Sequence, residues 1–175
     1  LLKKSILEEL PIRDTILKLN NGVSFNENPD NHLLEKEIDL VERCRKLVLN
    51  TLNNLIIKYG QDLKNEQWVL EPYADMIISF SVMNLGFIRY SQMEESNKKN
   101  YTLSILRCSL SRHLEVIVSK AKYINNYIYD EIVALDVNDE IDSSFKSLNW
   151  YVDVISLEKT IFETLSKYNG KYYLD

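Results

Sequence analysis

Chain-breaking residues are scarce here: four glycines and three prolines stand among 175 residues. A many-turned β fold needs Gly, Pro or Asn-Gly punctuation every few residues, so this scarcity favours long helices. Hydrophobic spacing then says where they lie. In "HLLEKEIDLVERCRKLVLNTLNNLIIKYG", Leu34, Ile38, Val41, Val48, Leu52, Leu55 and Tyr59 recur at steps of three and four, interrupted only by Arg45. Asp30 or Asn31 is the expected cap at its start, and Gly60 the expected left-handed residue at its end.

The next segment, "NEQWVLEPYADMIISFSVMNLGFIRYSQ", predicts a second long helix. Leu63, Leu70, Ala74, Ile77, Leu85 and Ile88 form its expected core stripe, and Met76, Ile78, Phe80, Val82, Met83 and Phe87 add apolar cover on the other sides. A helix apolar nearly all round belongs in a bundle centre or a membrane. Its uncharged run, Met76 to Ile88, falls short of the roughly 20 residues that span a bilayer, which selects the bundle centre. Pro72 denies one hydrogen bond to the carbonyl of Trp68, and the apolar pattern resumes at Ala74, so the helix is expected to bend there without ending.

A third helix is predicted in "NYTLSILRCSLSRHLEVIVSKAKYINNYIYDEI", with Leu103, Leu106, Leu110, Leu114, Ile117, Ala121, Ile124 and Ile128 on one face. The tail divides into "NDEIDSSFKSLNWYV" and "SLEKTIFETLSKY", with Ser156 as the expected cap of the latter, Glu158 in its first turn and Gly170 at its exit. Before all this, Pro11 separates two short apolar segments, and "NNGVSFNENPDN" reads as a polar linker. The expected fold is all-α: an antiparallel bundle of three long helices plus shorter terminal ones. Residues 1–20 would close an upstream helical domain, 21–32 would link, and 33–175 would form the bundle.

Chemistry is harder to find. The glycines are isolated, which excludes a phosphate-cradling loop or a dinucleotide fingerprint. A formal charge of −5 and the lack of a dense basic run disfavour nucleic acid as a partner. His32 and His113 lack the Glu-x-x-His spacing of a di-iron bundle, and Cys44 and Cys108 lack zinc spacing. Both cysteines fall in apolar helical patterns and read as buried reduced thiols. Cys108 and His113 are five residues apart, so a helix points them about 140° away from each other. No partner orients His113 with Arg112 or Glu115 as an acid–base group. No catalytic, cofactor or metal residue is therefore expected in this segment. Glu66, Asp75 and Arg89, embedded in the most apolar helix, are expected on its wetter edge.

In the same stretch the chain resembles the C-terminal region of the large, very-long-chain-type acyl-CoA dehydrogenases. Glu66-Gln67, Leu70, Ala74-Asp75, Ile78 and Arg89 match the family pattern in order, while Pro72 and Phe80 depart from it. "LLKKSILEELPI" also looks like the end of that family's catalytic helical domain. The resemblance implies a parent that uses FAD to dehydrogenate acyl thioesters in fatty acid oxidation, with its catalytic glutamate and flavin site upstream of this segment. The segment's own role would then be domain packing and oligomer organisation, in a cytoplasmic protein. Its expected partners are the upstream catalytic domains and a second copy in a homodimer. A membrane surface is a weaker partner, since no basic amphipathic helix stands out. Expected interface residues are Met76, Phe80, Met83 and Phe87 on one flank of the second helix, with the terminal Tyr172 and Tyr173. The alternative is a ligand-binding or protein-interaction module of a helical regulator, which an internal cavity opening to solvent would favour.

Overall fold

The computed structural model describes residues 34–94 and 97–167. The expected short helices around Pro11, the polar linker, the caps at Asp30 and Asn31, and Gly170, Tyr172 and Tyr173 lie outside the described residues. Within them the chain forms α1 (Glu35–Tyr59), a 3-10 segment (Gly60–Asn65), α2 (Gln67–Ser91), α3 (Asn97–Ile128), α4 (Glu131–Ser147) and α5 (Val154–Lys167). No strand occurs among the described residues, so the expected all-α bundle is what the chain builds.

Pairs of contacts fix the direction of each helix. Gly86 faces Leu106, and Asp75 pairs with Lys120, so α2 runs antiparallel to α3. Asn125 bonds Asn138 and Lys122 pairs with Asp142, so α4 is antiparallel to α3. Cys108 meets the Val154 carbonyl and Arg112 meets Glu158, so α5 runs parallel to α3. From α3 onward each helix therefore reverses its predecessor, as short connections require.

α1 buries Leu40, Val41, Cys44, Val48, Thr51, Leu52 and Leu55, and with them Glu37; Ile38 and Tyr59 are half-buried at the edge of the same stripe. Glu35 and Glu37 lie in its first turn and Lys58 in its last, matching the helix dipole. Gly60 closes it at φ +51°, ψ −124°, donating to the Ile56 carbonyl. The positive φ was expected, but this ψ lies outside the left-handed helical well, because the chain turns at once into the 3-10 segment.

α2 corrects the sequence reading in two ways. First, most of the expected stripe faces outward: Leu63, in the 3-10 segment, is buried as expected, but Ala74, Ile77, Leu85 and Ile88 are exposed, and Leu70 is half-buried. The inner face is instead Val69, Pro72, Tyr73, Met76, Ser79, Met83 and Tyr90, with Phe80 and Phe87 packed against the core. Secondly, the helix lies at the edge of the bundle. The hub is α3, which packs on all four other helices, while α2 packs chiefly on α3 and secondarily on α1. A helix apolar on several sides presents rival faces. The one carrying longer Met and aromatic side chains reaches furthest into a neighbour, and Gly86 lets Leu106 approach at contact distance. α2 passes through Pro72 as one continuous helix, as expected.

α3 buries Leu106, Leu110, Ile117, Ala121, Ile124 and Ile128 as its spacing predicts, with Leu103 and Leu114 half-buried beside them. It stops at Ile128, earlier than expected. Asp130 then caps α4, its Oδ1 accepting from the Val133 N–H at 3.0 Å, so α4 opens well before the predicted Asn138. At α5 the cap is Asp153, whose Oδ1 accepts from the Ser156 N–H at 3.0 Å. Ser156 lies inside the first turn, and Glu158 lies beyond it and pairs with Arg112.

Candidate functional site

Three places could carry function: the thiols and imidazole of α1 and α3, two surface clefts, and the outer face of α2. The thiols are spent on packing. Cys44 has no accessible surface, and burial pushes its thiol up to about 12, far from a nucleophile's range. Cys108 is also buried and raised, first by burial and then by the Glu158 charge, and its Sγ faces the Val154 carbonyl at 4.0 Å. His113 is half-buried, and burial lowers its pKa. Its neighbour Arg112 is committed to Glu158 on α5. No group of three metal-ligating side chains occurs among the described residues.

The first cleft, about 550 Å³, opens beside the first turn of α1 against α3 and the α4–α5 connection. At its base Arg107 donates Nε to Glu37 Oε1 at 2.6 Å, and Glu37 is only 2% exposed. Trp150 on the opposite wall donates Nε1 to Ser111 Oγ at 3.2 Å. Glu35, Glu37 and Asp153 offset Lys36 and Arg107, so the cleft favours neither sign of ligand charge. Glu37 was missed in the sequence because a carboxylate breaks an apolar pattern. Its position seven residues before Cys44 on the α1 stripe was the available signal.

The second cleft, about 440 Å³, lies between α1, α3 and α4 and is rich in amides. Asn125, 3% exposed, donates to Asn138 Oδ1 at 3.1 Å, and Asn138 donates to Asn126 Oδ1 at 2.8 Å. Arg43 is consumed by Asp39 at 2.7 Å, Ser147 Oγ at 2.7 Å and the Ser144 carbonyl. These groups fasten α4 to its neighbours. Each donor is already answered by a helix partner, which is the chemistry of a joint and not of a reactive centre. Both clefts are on the surface, and the interior between α1, α2 and α3 is filled by Leu40, Leu55, Met76, Met83, Leu110 and Ile117, all without accessible surface.

The outer face of α2 differs in kind. Ile78 is 61% and Leu85 65% exposed, with Val82, Ile77 and Ile88 exposed beside them. Among the described residues no element covers these side chains. The expected interface residues are not there. Met76 and Met83 have no accessible surface, and Phe80 and Phe87 are half-buried against the core. They hold α2 to α3, so in this fold they form core and leave no docking flank. Of the residues that carry the family resemblance, four lie outward and three are half-buried. Glu66 precedes the first turn of α2 half-buried, Leu70 is half-buried, and Gln67, Ala74, Ile78 and Arg89 are exposed. Asp75 sits at the edge, 2.8 Å from Lys120.

No protein-family model and no curated protein matches the chain. Among solved structures, the crystal structure of an acyl-CoA dehydrogenase complexed with FAD from Bacillus anthracis superposes with a TM-score of 0.76 at 20% sequence identity. The match covers 99% of this chain and 29% of that one. The fold is that of a helical part of such an enzyme. At this identity the likeness establishes the fold alone, and the chain spans under a third of the matched protein's length. No helix among the described residues is long and apolar enough to cross a membrane.

Proposed function

We propose that this chain is the non-catalytic C-terminal helical region of an FAD-dependent acyl-CoA dehydrogenase, acting in domain packing and oligomer organisation in the cytoplasm. The observation that carries this reading is a coincidence of two facts. Nearly the whole chain superposes on part of a flavin-containing acyl-CoA dehydrogenase. The residues of the family pattern that are exposed sit along an outer helix face carrying Ile78, Val82 and Leu85, where no described element covers them. Flavin and acyl-CoA would be bound by the remaining domains, which in the matched structure make up most of the chain. This segment would supply a rigid bundle against which those domains pack.

The intact mass and absorbance of the natural protein test this directly. The expected species is a yellow polypeptide several times heavier than 20.6 kDa, whose flavin is bleached by an acyl-CoA. Removing residues 33–175 from it should leave flavin bound while changing the size of the assembly. A natural protein without flavin, or one whose assembly is indifferent to that deletion, overturns the reading.

A further inference from the structure

We infer that the cleft beside the first turn of α1 binds a small monocarboxylate with a flat apolar body, its carboxylate held inward on Arg107. The cleft is about 550 Å³, within the size range of small-molecule sites. At its base stands a half-used guanidinium. Arg107 gives Nε to Glu37 Oε1 at 2.6 Å, while Nη1 and Nη2 donate to no described residue. The Arg107 side chain is 38% exposed and lines the cleft, so those two nitrogens are the donors left for a ligand. Their edge presents parallel N–H groups that match the two oxygens of a carboxylate. Glu37, 2% exposed, holds the guanidinium in place before any ligand arrives, which lowers the ordering cost of binding.

The walls supply the apolar half of the site. Trp150 donates Nε1 to Ser111 Oγ at 3.2 Å, which fixes the orientation of its ring. Tyr151 beside it is 86% exposed, and Val152 and Leu157 continue the lining. A flat apolar body laid against these rings removes aromatic surface from water on both partners.

Charge narrows the ligand further. The lining charges nearly balance, so selection comes from the position of the free donors and not from net sign. Arg107 and Lys36 against buried Glu37 leave one positive charge to answer at the base, and a second negative charge would face Glu35 and Asp153. A phosphate dianion is therefore a poor fit. An amine fits no better, because it brings no acceptor for Nη1 and Nη2. A single carboxylate satisfies both conditions. The inference goes beyond the proposed function and does not depend on the flavoenzyme assignment.

Tryptophan fluorescence is the experiment, with 3-phenylpropionate as the probe and far-ultraviolet circular dichroism as the folding control. The chain has two tryptophans, Trp68 and Trp150, so in the full 175-residue chain carrying Trp68→Phe the emission of Trp150 reports on the cleft alone. Titration of that variant should give a saturable change with a Kd on the order of 1 mM, as expected of so small a ligand. 3-Phenylpropionamide, which has the same shape without the charge, should bind at least about tenfold more weakly. Arg107→Lys keeps a charge for Glu37 but loses the fork, and should weaken binding of the acid about tenfold. Tyr151→Ala, at an exposed position outside the core, should weaken it about threefold. Should Arg107→Lys lose helicity, Tyr151→Ala and the comparison of acid with amide decide. No saturable change up to about 20 mM, equal binding of acid and amide, or undiminished binding by either folded variant overturns the inference. The flavin and mass measurements on the natural protein stand or fall separately.

Discussion

Replacing Arg107 by Met should destabilise the bundle more than replacing its partner Glu37 by Leu, although both changes break the same ion pair. The reason is unequal burial. Glu37 is 2% exposed, while the Arg107 side chain is 38% exposed, with Nε to Oε1 at 2.6 Å. Loss of Arg107 strands a carboxylate inside the α1–α3 contact, where an uncompensated charge costs about 3–5 kcal/mol in fully buried pairs. The open cleft on the arginine side admits water, so a value between that and the 0–1 kcal/mol of surface pairs applies, about 2–3 kcal/mol. Loss of Glu37 leaves a guanidinium that can turn to solvent through the same cleft, and should cost about 1 kcal/mol. The double variant Glu37→Leu/Arg107→Met should lie near the milder single, because neither charge then remains. Urea unfolding followed by circular dichroism measures all three, and Arg107→Met should lower Tm by roughly 4–12 °C. Equal costs for the two single variants, or a double variant as damaged as Arg107→Met, would refute the burial argument.

The two faces of α2 should separate cleanly in a truncation pair. Met83→Ala should cost about 2–5 kcal/mol and Leu85→Ala stay within about 0.5 kcal/mol in urea unfolding under monomeric conditions. Cys44 should resist a thiol reagent at pH 8 until the chain is unfolded, as an absorbance assay would record. Its thiol is raised from 9.0 to about 12, so the unfolded chain loses this proton first and stability should fall as pH rises from 9 towards 12, by at most about 1.4 kcal/mol per unit. Cys44→Val should flatten that alkaline limb in pH-dependent melts. Pro72→Ala should add a donor for the Trp68 carbonyl while removing buried ring atoms, leaving a net gain of about 1 kcal/mol, read as a higher Tm.

How much of this was legible in the residues depends on how many faces a helix offers. α1 and α3 alternate apolar with charged positions, so one stripe is unambiguous. Val41, Val48, Leu52 and Leu55 on α1 and Leu106, Leu110, Ile117 and Ile124 on α3 are buried as their spacing predicts. α2 carries no charge from Met76 to Ile88, and periodicity cannot choose between the Ile77–Leu85 side and the Met76–Met83 side. The choice is made by α3, which accepts Met76, Met83 and Tyr90 and leaves Ile78 and Leu85 outside. Boundaries failed for a related reason. Asp130 and Asp153 each close a side-chain bond to the backbone N–H three residues on, but in sequence they compete with equally good caps such as Ser156. Glu37, Asn125 and Asn138 were invisible because their partners come from other helices.

The misassigned face of α2 bears on function. A helix whose inner face alone packs a bundle needs only one apolar stripe, and a soluble chain ordinarily covers the other side with charge. α1 carries Glu35, Lys36 and Lys58 among its exposed positions. α2 differs: between Asp75 and Arg89 its outer side presents Ile78, Ser81, Val82 and Leu85. Among the described residues no element covers that side. The same side holds Gln67, Ala74, Ile78 and Arg89 of the family pattern, while Leu70 of that pattern packs against the core. Under the proposed function, the exposed members of that pattern are where the neighbouring domains would pack.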